Sequence, residues 1–257
     1  MLNLQTNISK PPRILIYGPQ GIGKSTFISK SMNPVLIQTE DGLGNLDIPA
    51  YPLSRSYQDV MTAITELATV DHPYNTVAVD SADWLEPLIW KQVALEAGKK
   101  SIEDIGYGKG YVLALDLWRE YIGALNYLRD EKNMTVIQTA HANIKKFDNP
   151  ETESYDRYEI KLHKSASALL LEHSDIVMFA NFYVGITKES SGFKDRKRAV
   201  GSGERILYTE ERPAAIAKNR YDLPPEIPFD KDGNYWGVIA SHVPFYNQAT
   251  ANTEKDA

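Results

Sequence analysis

The sequence predicts an α/β fold, with a mostly parallel central sheet and helices on both faces. Three observations predict it. Short apolar runs alternate along the chain with stretches whose apolar residues recur at helical spacing. One strand-to-helix joint carries G-x-x-x-x-G-K-[ST], a motif that requires a strand before it and a helix after it. The 257 residues are 42% hydrophobic and 24% charged, enough apolar material for a core covered on two sides.

The elements follow in order. Residues 1–12 are a polar lead-in ending at Pro11-Pro12, and RILIY (13–17) is a buried strand. Residues 24–32 form the helix after it, and VLIQT (35–39) is a second strand. Tyr57, Val60, Met61, Ile64 and Leu67 make 56–69 an amphipathic helix. A third strand, 76–79, leads into Asp80, and helices are expected over 84–97 and 111–129. Residues 134–140 and 176–183 are the fourth and fifth strands, and 205–209 and 214–217 are shorter candidates. One core is expected over 13–246, with a small polar tail, 247–257, that reads as disordered.

Composition excludes several classes. A net charge of -6 leaves room only for a local nucleic-acid contact. With no Cys there is no disulfide framework, thiolate metal site or cysteine nucleophile. The start lacks a signal-peptide pattern, and the most apolar stretch, 176–186, is too short to span a bilayer and contains Asn181. No membrane association and a cytoplasmic location are expected.

The motif is Gly18-Pro19-Gln20-Gly21-Ile22-Gly23-Lys24-Ser25-Thr26. Its glycines let the backbone wrap so that N–H groups face phosphate oxygens. Lys24 supplies a charge near the β and γ phosphates, and Ser25 offers a hydroxyl to Mg2+. The following helix adds its positive end. ATP and Mg2+ are therefore the expected ligands. Asp80, closing the third strand, is the candidate second metal residue; otherwise it caps a turn. Ser81, not Glu, follows it, so the base that activates water must stand elsewhere.

Glu40, at the end of the second strand, is the preferred base, with Asp41 competing. His141 closes the fourth strand in Thr139-Ala140-His141 and is the candidate γ-phosphate sensor; Gln138, deeper in the strand, is the lesser one.

This arrangement resembles the RecA-type ATPases, whose metal Asp is often followed by Ser and whose catalytic Glu closes the second strand. Lys218-Asn219-Arg220 resembles the Lys-x-Arg pair that hexameric helicases insert into a neighbouring subunit's site. More closely, VDSADWLEPLIW, EDIGYGKGY, AHANIKKF, ESYDRYEIKLH, TEERPA and AKNRYDLPP resemble the phage RecA-like proteins of the Sak-four type, over about 13–225. The resemblance implies ATP binding, single-stranded DNA binding, strand annealing in recombination, a homo-oligomer with intersubunit ATP sites, and cooperation with a single-strand DNA-binding protein.

RecA-type cores contact DNA through loops flanking the sensor strand. The first candidate, 99–111, holds Lys109 among glycines; the second, 143–164, carries Lys145, Lys146, Phe147 and Arg157. A third stretch, 188–205, centres on Arg196-Lys197-Arg198. Cations beside aromatics suit a single strand. Interspersed acids also fit a plain solvated surface. The second segment is preferred, because it joins His141 directly. A small-molecule kinase, with Arg196, Arg198 and Arg205 as a lid, and a motor helicase or helicase loader are the alternatives.

Overall fold

In the computed structural model, residues 9–191 and 194–247 are described, without the side chains of 184–202. The elements are β1 (Arg13–Gly18), α1 (Lys24–Ser29), β2 (Pro34–Gln38), α2 (Tyr57–Thr69), β3 (Thr76–Asp80), α3 (Ala82–Glu96), α4 (Lys109–Glu131) and β4 (Thr135–Phe147). They continue with β5 (Tyr155–Ile160), α5 (Lys164–His173), β6 (Ile176–Ser191), β7 (Lys194–Tyr208), β8 (Lys218–Asn219), β9 (Glu226–Pro228) and α6 (Tyr235–His242).

The strands lie in the order β2-β3-β4-β1-β6-β7-β9, with β5 on β4 and β8 on β6. The pairs β2–β3, β3–β4, β4–β1 and β1–β6 are parallel, and the remainder antiparallel. Successive side chains of a strand point to opposite faces, and β1 shows why both faces must be covered. Leu15 and Tyr17 pack with Val60, Ile64, Leu85, Ile89, Trp118 and Leu125 of α2, α3 and α4. Ile14 and Ile16 pack on the other face with Phe27 and Ile28 of α1 and Tyr235 and Ile239 of α6. α2 starts at a capping box, the Ser56 side chain accepting from Asp59 N while the Asp59 carboxylate accepts from Ser56 N.

Several expectations change. The first helix ends at Ser29, short of Met32. β4 does not stop at Ala140 but runs on to Phe147 and turns back as β5, so the second DNA-binding candidate is an antiparallel ribbon and not a loop. Residues 214–217 are not a strand; Ala215 makes only isolated bridges with Tyr158 and Arg212. The fifth strand extends to Ser191 and pairs with β7 as a long hairpin. Residues 1–8 of the lead-in and the tail from 248 lie outside the described residues. Among the described residues no helix is long and apolar enough to cross a membrane.

Candidate functional site

The C-terminal ends of β1, β2 and β3 meet at one edge of the sheet, level with His141 in the middle of β4. There Gln20, Gly21, Gly23, Lys24, Ser25, Thr26, Glu40, Asp41, Asp80, His141 and Arg205 line a cleft of about 370 Å³. Gly18 must be glycine because β6 passes so close that a Cβ would lie 2.2 Å from the Ala180 carbonyl oxygen. Gly23, with φ of 115°, takes a backbone conformation that a side chain would strain. The chain turns at Gly21 and Gly23, and Ile22 between them is buried in the core.

Lys24 is buried, its Nζ donating to the carbonyls of Gly18 (3.4 Å) and Pro19 (3.2 Å). Burial lowers its pKa from the ordinary lysine value, and the charges of Asp80, Asp83 and Glu40 oppose that shift. Ser25 Oγ donates to Asp80 Oδ2 at 2.6 Å, and Thr139 Oγ1 donates to Asp80 Oδ1 at 2.5 Å. A serine hydroxyl and a carboxylate, the two protein donors expected for magnesium, thus stand within hydrogen-bond distance of each other. Among the described residues no three His, Cys, Asp or Glu side chains gather as a metal cluster. One hydroxyl and one carboxylate, both hard oxygen donors, fit an ion that takes most of its ligands from phosphate and water.

β4 lies between β1 and β3, so His141 ends its sheet-embedded part beside the phosphate loop. Its Nδ1 lies 2.9 Å from Asp83 Oδ2, and its backbone N donates to Asp83 Oδ1 at 3.0 Å. Gln138 is instead committed to the core, its Oε1 accepting from Tyr121 at 2.9 Å, which removes it as the second sensor candidate. Thr39 and Ser81 bond reciprocally, and the peptide between Asp80 and Ser81 is cis. Ser81 Oγ is 2.8 Å from Asp83 and 3.3 Å from Glu40. One hydroxyl proton cannot serve both. The shorter contact assigns it to Asp83 and leaves the Glu40 carboxylate free to accept from water.

The sequence does not mark Asp83, which bonds His141, and it marks Arg205 only as a lid residue of the kinase alternative. Asp83 stands three residues after Asp80 in the first turn of α3, where an acid needs no function to be favourable. Arg205 reaches the cleft from β7, donating to the Ile22 carbonyl at 3.1 Å. Only its place among clustered cations hinted at a role.

Other assigned residues lie elsewhere. Lys218 pairs with Val177 near the opposite edge of the sheet and donates to the carbonyls of Leu171 and Glu172 at the end of α5. Arg220 bonds Asp175, which also holds Arg13. Neither enters the cleft of its own chain. Arg157 is a correction: it is buried, bonds Glu211 at 2.6 Å and lies over the Phe147 ring, so it is not open to a phosphate. Lys146 is exposed and Lys145 is partly paired with Glu159. Lys109 is exposed at the first position of α4, where the helix dipole leaves a cation without local compensation. Arg196, Lys197 and Arg198 lie on an arm of the β6–β7 hairpin, opposite Glu189, Lys188 and Thr187, and their side chains are outside the described part.

α3 joins the cleft to the two candidate DNA segments. One turn beyond Asp83, Glu86 accepts the His163 backbone N–H with both oxygens at 3.0 Å. The His163 ring stacks on Tyr111 at 4.8 Å. Burial pushes the Glu86 carboxyl up to about 7. A raised acid favours the native state while it is protonated in both states, below its ordinary 4.5, and that contribution is lost as pH rises through about 7. Glu86→Gln is expected to flatten this fall in stability, measured by denaturant unfolding at stepped pH.

A family model described as AAA domain matches residues 10–221. No curated protein matches the chain. Among solved structures, the crystal structure of the RadB recombinase is similar at a TM-score of 0.50 and 12% identity, covering 88% of this chain and 90% of that one. That likeness concerns the fold alone: an α/β P-loop NTPase core with a largely parallel sheet.

Proposed function

The chain belongs to the AAA domain family of P-loop ATPases, and from that premise we propose that it hydrolyses ATP in a cycle coupled to single-stranded DNA, as an annealing or recombination protein of the phage Sak-four type. The observation that carries this reading is the continuity of β4. The strand that holds His141 at the cleft continues without a break into the ribbon bearing Lys145, Lys146 and Phe147. A change at the γ-phosphate then has a rigid path to the ribbon.

In this reading the loop from Gly18 to Thr26 cradles the phosphates and Lys24 neutralises their charge. Magnesium, when bound, spreads positive charge over the β and γ phosphates; Ser25 and Asp80 would hold it. Glu40 orients the attacking water and takes its proton as the new bond to phosphorus forms. The bond to the β–γ bridging oxygen breaks, and ADP and phosphate leave. His141 senses the phosphate that is lost.

The assembly is a homo-oligomer in which Lys218 and Arg220 act on a neighbour's nucleotide. Two facts support the trans assignment: both residues stand away from their own cleft, and the Arg220 side chain is 52% exposed despite its bond to Asp175. Mixing Arg220→Ala with Glu40→Gln protein is expected to restore hydrolysis that each lacks alone; no rescue counts against a finger in trans.

The kinase alternative gains one observation, since Arg205 does stand at the cleft. ATP hydrolysis without any acceptor, accelerated by single-stranded DNA, separates the two. Turnover that appears only when a phosphate acceptor is added favours the kinase.

A further inference from the structure

We propose that Asp83 is a positioning residue of the ATPase site, fixing which nitrogen of His141 carries the proton and how the ring is aimed. This deepens the reading above and rests on it for its consequence. The Asp83 side chain is 1% exposed, and its one Lys or Arg ion pair among the described residues, with Lys161 Nζ, is long at 3.8 Å, while its closer partners are His141 and Ser81. Its bonds are spent on the site. Oδ1 accepts from Ser81 Oγ at 2.8 Å and from His141 N at 3.0 Å, and Oδ2 faces His141 Nδ1 at 2.9 Å.

Burial alone would raise the carboxyl, but the bonds from the His141 ring and main chain and from Ser81 outweigh it and hold the group below the ordinary aspartate range. An ionised carboxylate can only accept. Nδ1 of His141 must therefore be the protonated nitrogen, and Nε2 is left for the cleft that the ring lines. The main-chain N–H of His141 fixes the carboxylate relative to its backbone, and the imidazole cannot turn without losing the Nδ1 contact to that carboxylate. Ser81 Oγ, whose proton goes to Asp83, lies 3.3 Å from Glu40, so base and sensor flank one support at the start of α3.

Asp83→Asn isolates the effect. Its oxygen, placed at Oδ1, still accepts from Ser81 and from His141 N. Its amide, placed at Oδ2, donates toward Nδ1 and drives the histidine proton to Nε2. The expected result is a fall in kcat of about 10- to 100-fold, with KM for ATP within about twofold of wild type. In a His141→Gln background, where no tautomer exists to be set, Asp83→Asn should add less than about a twofold loss. An unchanged kcat for Asp83→Asn, or a full second loss in the His141→Gln background, overturns the proposal.

Should the variant not fold, side-chain nitrogen NMR of wild-type histidines decides. The His141 signal is the one missing from His141→Gln. It should report a proton on Nδ1, and a ring carrying its only proton on Nε2 overturns the assignment. A wild-type chain that neither binds nor hydrolyses ATP sinks the ATPase reading, while the NMR result still judges Asp83 by itself.

Discussion

Lys24→Ala is expected to lower ATP hydrolysis at least about 100-fold and to weaken nucleotide binding with it. The ammonium is held by the Gly18 and Pro19 carbonyls and buried from water. It therefore costs little reorganisation when phosphates arrive. Its charge also balances Asp80, Asp83 and Glu40, the carboxylates that act on it. Removing it leaves those acids facing the triphosphate with no buried cation between them, so attraction becomes repulsion in a half-enclosed site. Titration with a fluorescent ATP analogue, beside a phosphate-release assay, reads both effects. Near-normal hydrolysis would mean that the loop does not hold the nucleotide in this way.

Glu40→Gln is expected to act on the chemical step alone. A general base contributes about 10²- to 10⁴-fold, so kcat should fall in that range while ATP affinity stays near wild type. Glutamine keeps the size but cannot take a proton. Asp41→Asn should change little, because Asp41 is exposed and no bond to the Ser81–Asp83–His141 group is seen among the described residues. A large loss from Asp41→Asn with a small one from Glu40→Gln would exchange their roles. Single-turnover phosphate release at saturating ATP distinguishes the two.

Much of this site was legible because its residues terminate apolar runs. Gly18, Glu40, Asp80 and His141 each follow a buried strand of a parallel sheet, and parallel strand ends must share an edge. The structure brings them to one cleft for that reason. What was illegible depended on partners distant in sequence or on exposed backbone. The ribbon from Ala142 to Ile160 buries little, so no apolar run marks its strands; only cross-strand pairing does. Arg157 looks like a surface cation until Glu211, 54 residues on, closes over it. Asp83 has the composition of an ordinary first-turn acid, and its task appears only when β4 delivers His141 beside it. Arg205 is hidden similarly, since the β6–β7 hairpin is what carries it back to Ile22.

The partner residues follow the same logic. Lys218 and Arg220 have local partners at the edge away from the cleft, and their proposed work lies on a second copy of the chain. The ribbon, the Gly-rich turn before α4 and the N-terminus of α5 are tied by Glu86, His163 and Tyr111, so they should respond to nucleotide together. With a net charge of -6, affinity for DNA should be modest and should fall steeply with salt.

The most direct test of the coupling is a binding titration of labelled single-stranded DNA against the purified protein, performed without nucleotide, with ADP and with a non-hydrolysable ATP analogue plus magnesium. Tighter binding in the ATP-like state than in the other two, lost with Lys24→Ala and weakened by reversing the charges of Lys145 and Lys146, is the predicted result. No binding in any nucleotide state, or equal binding in all of them, would contradict it.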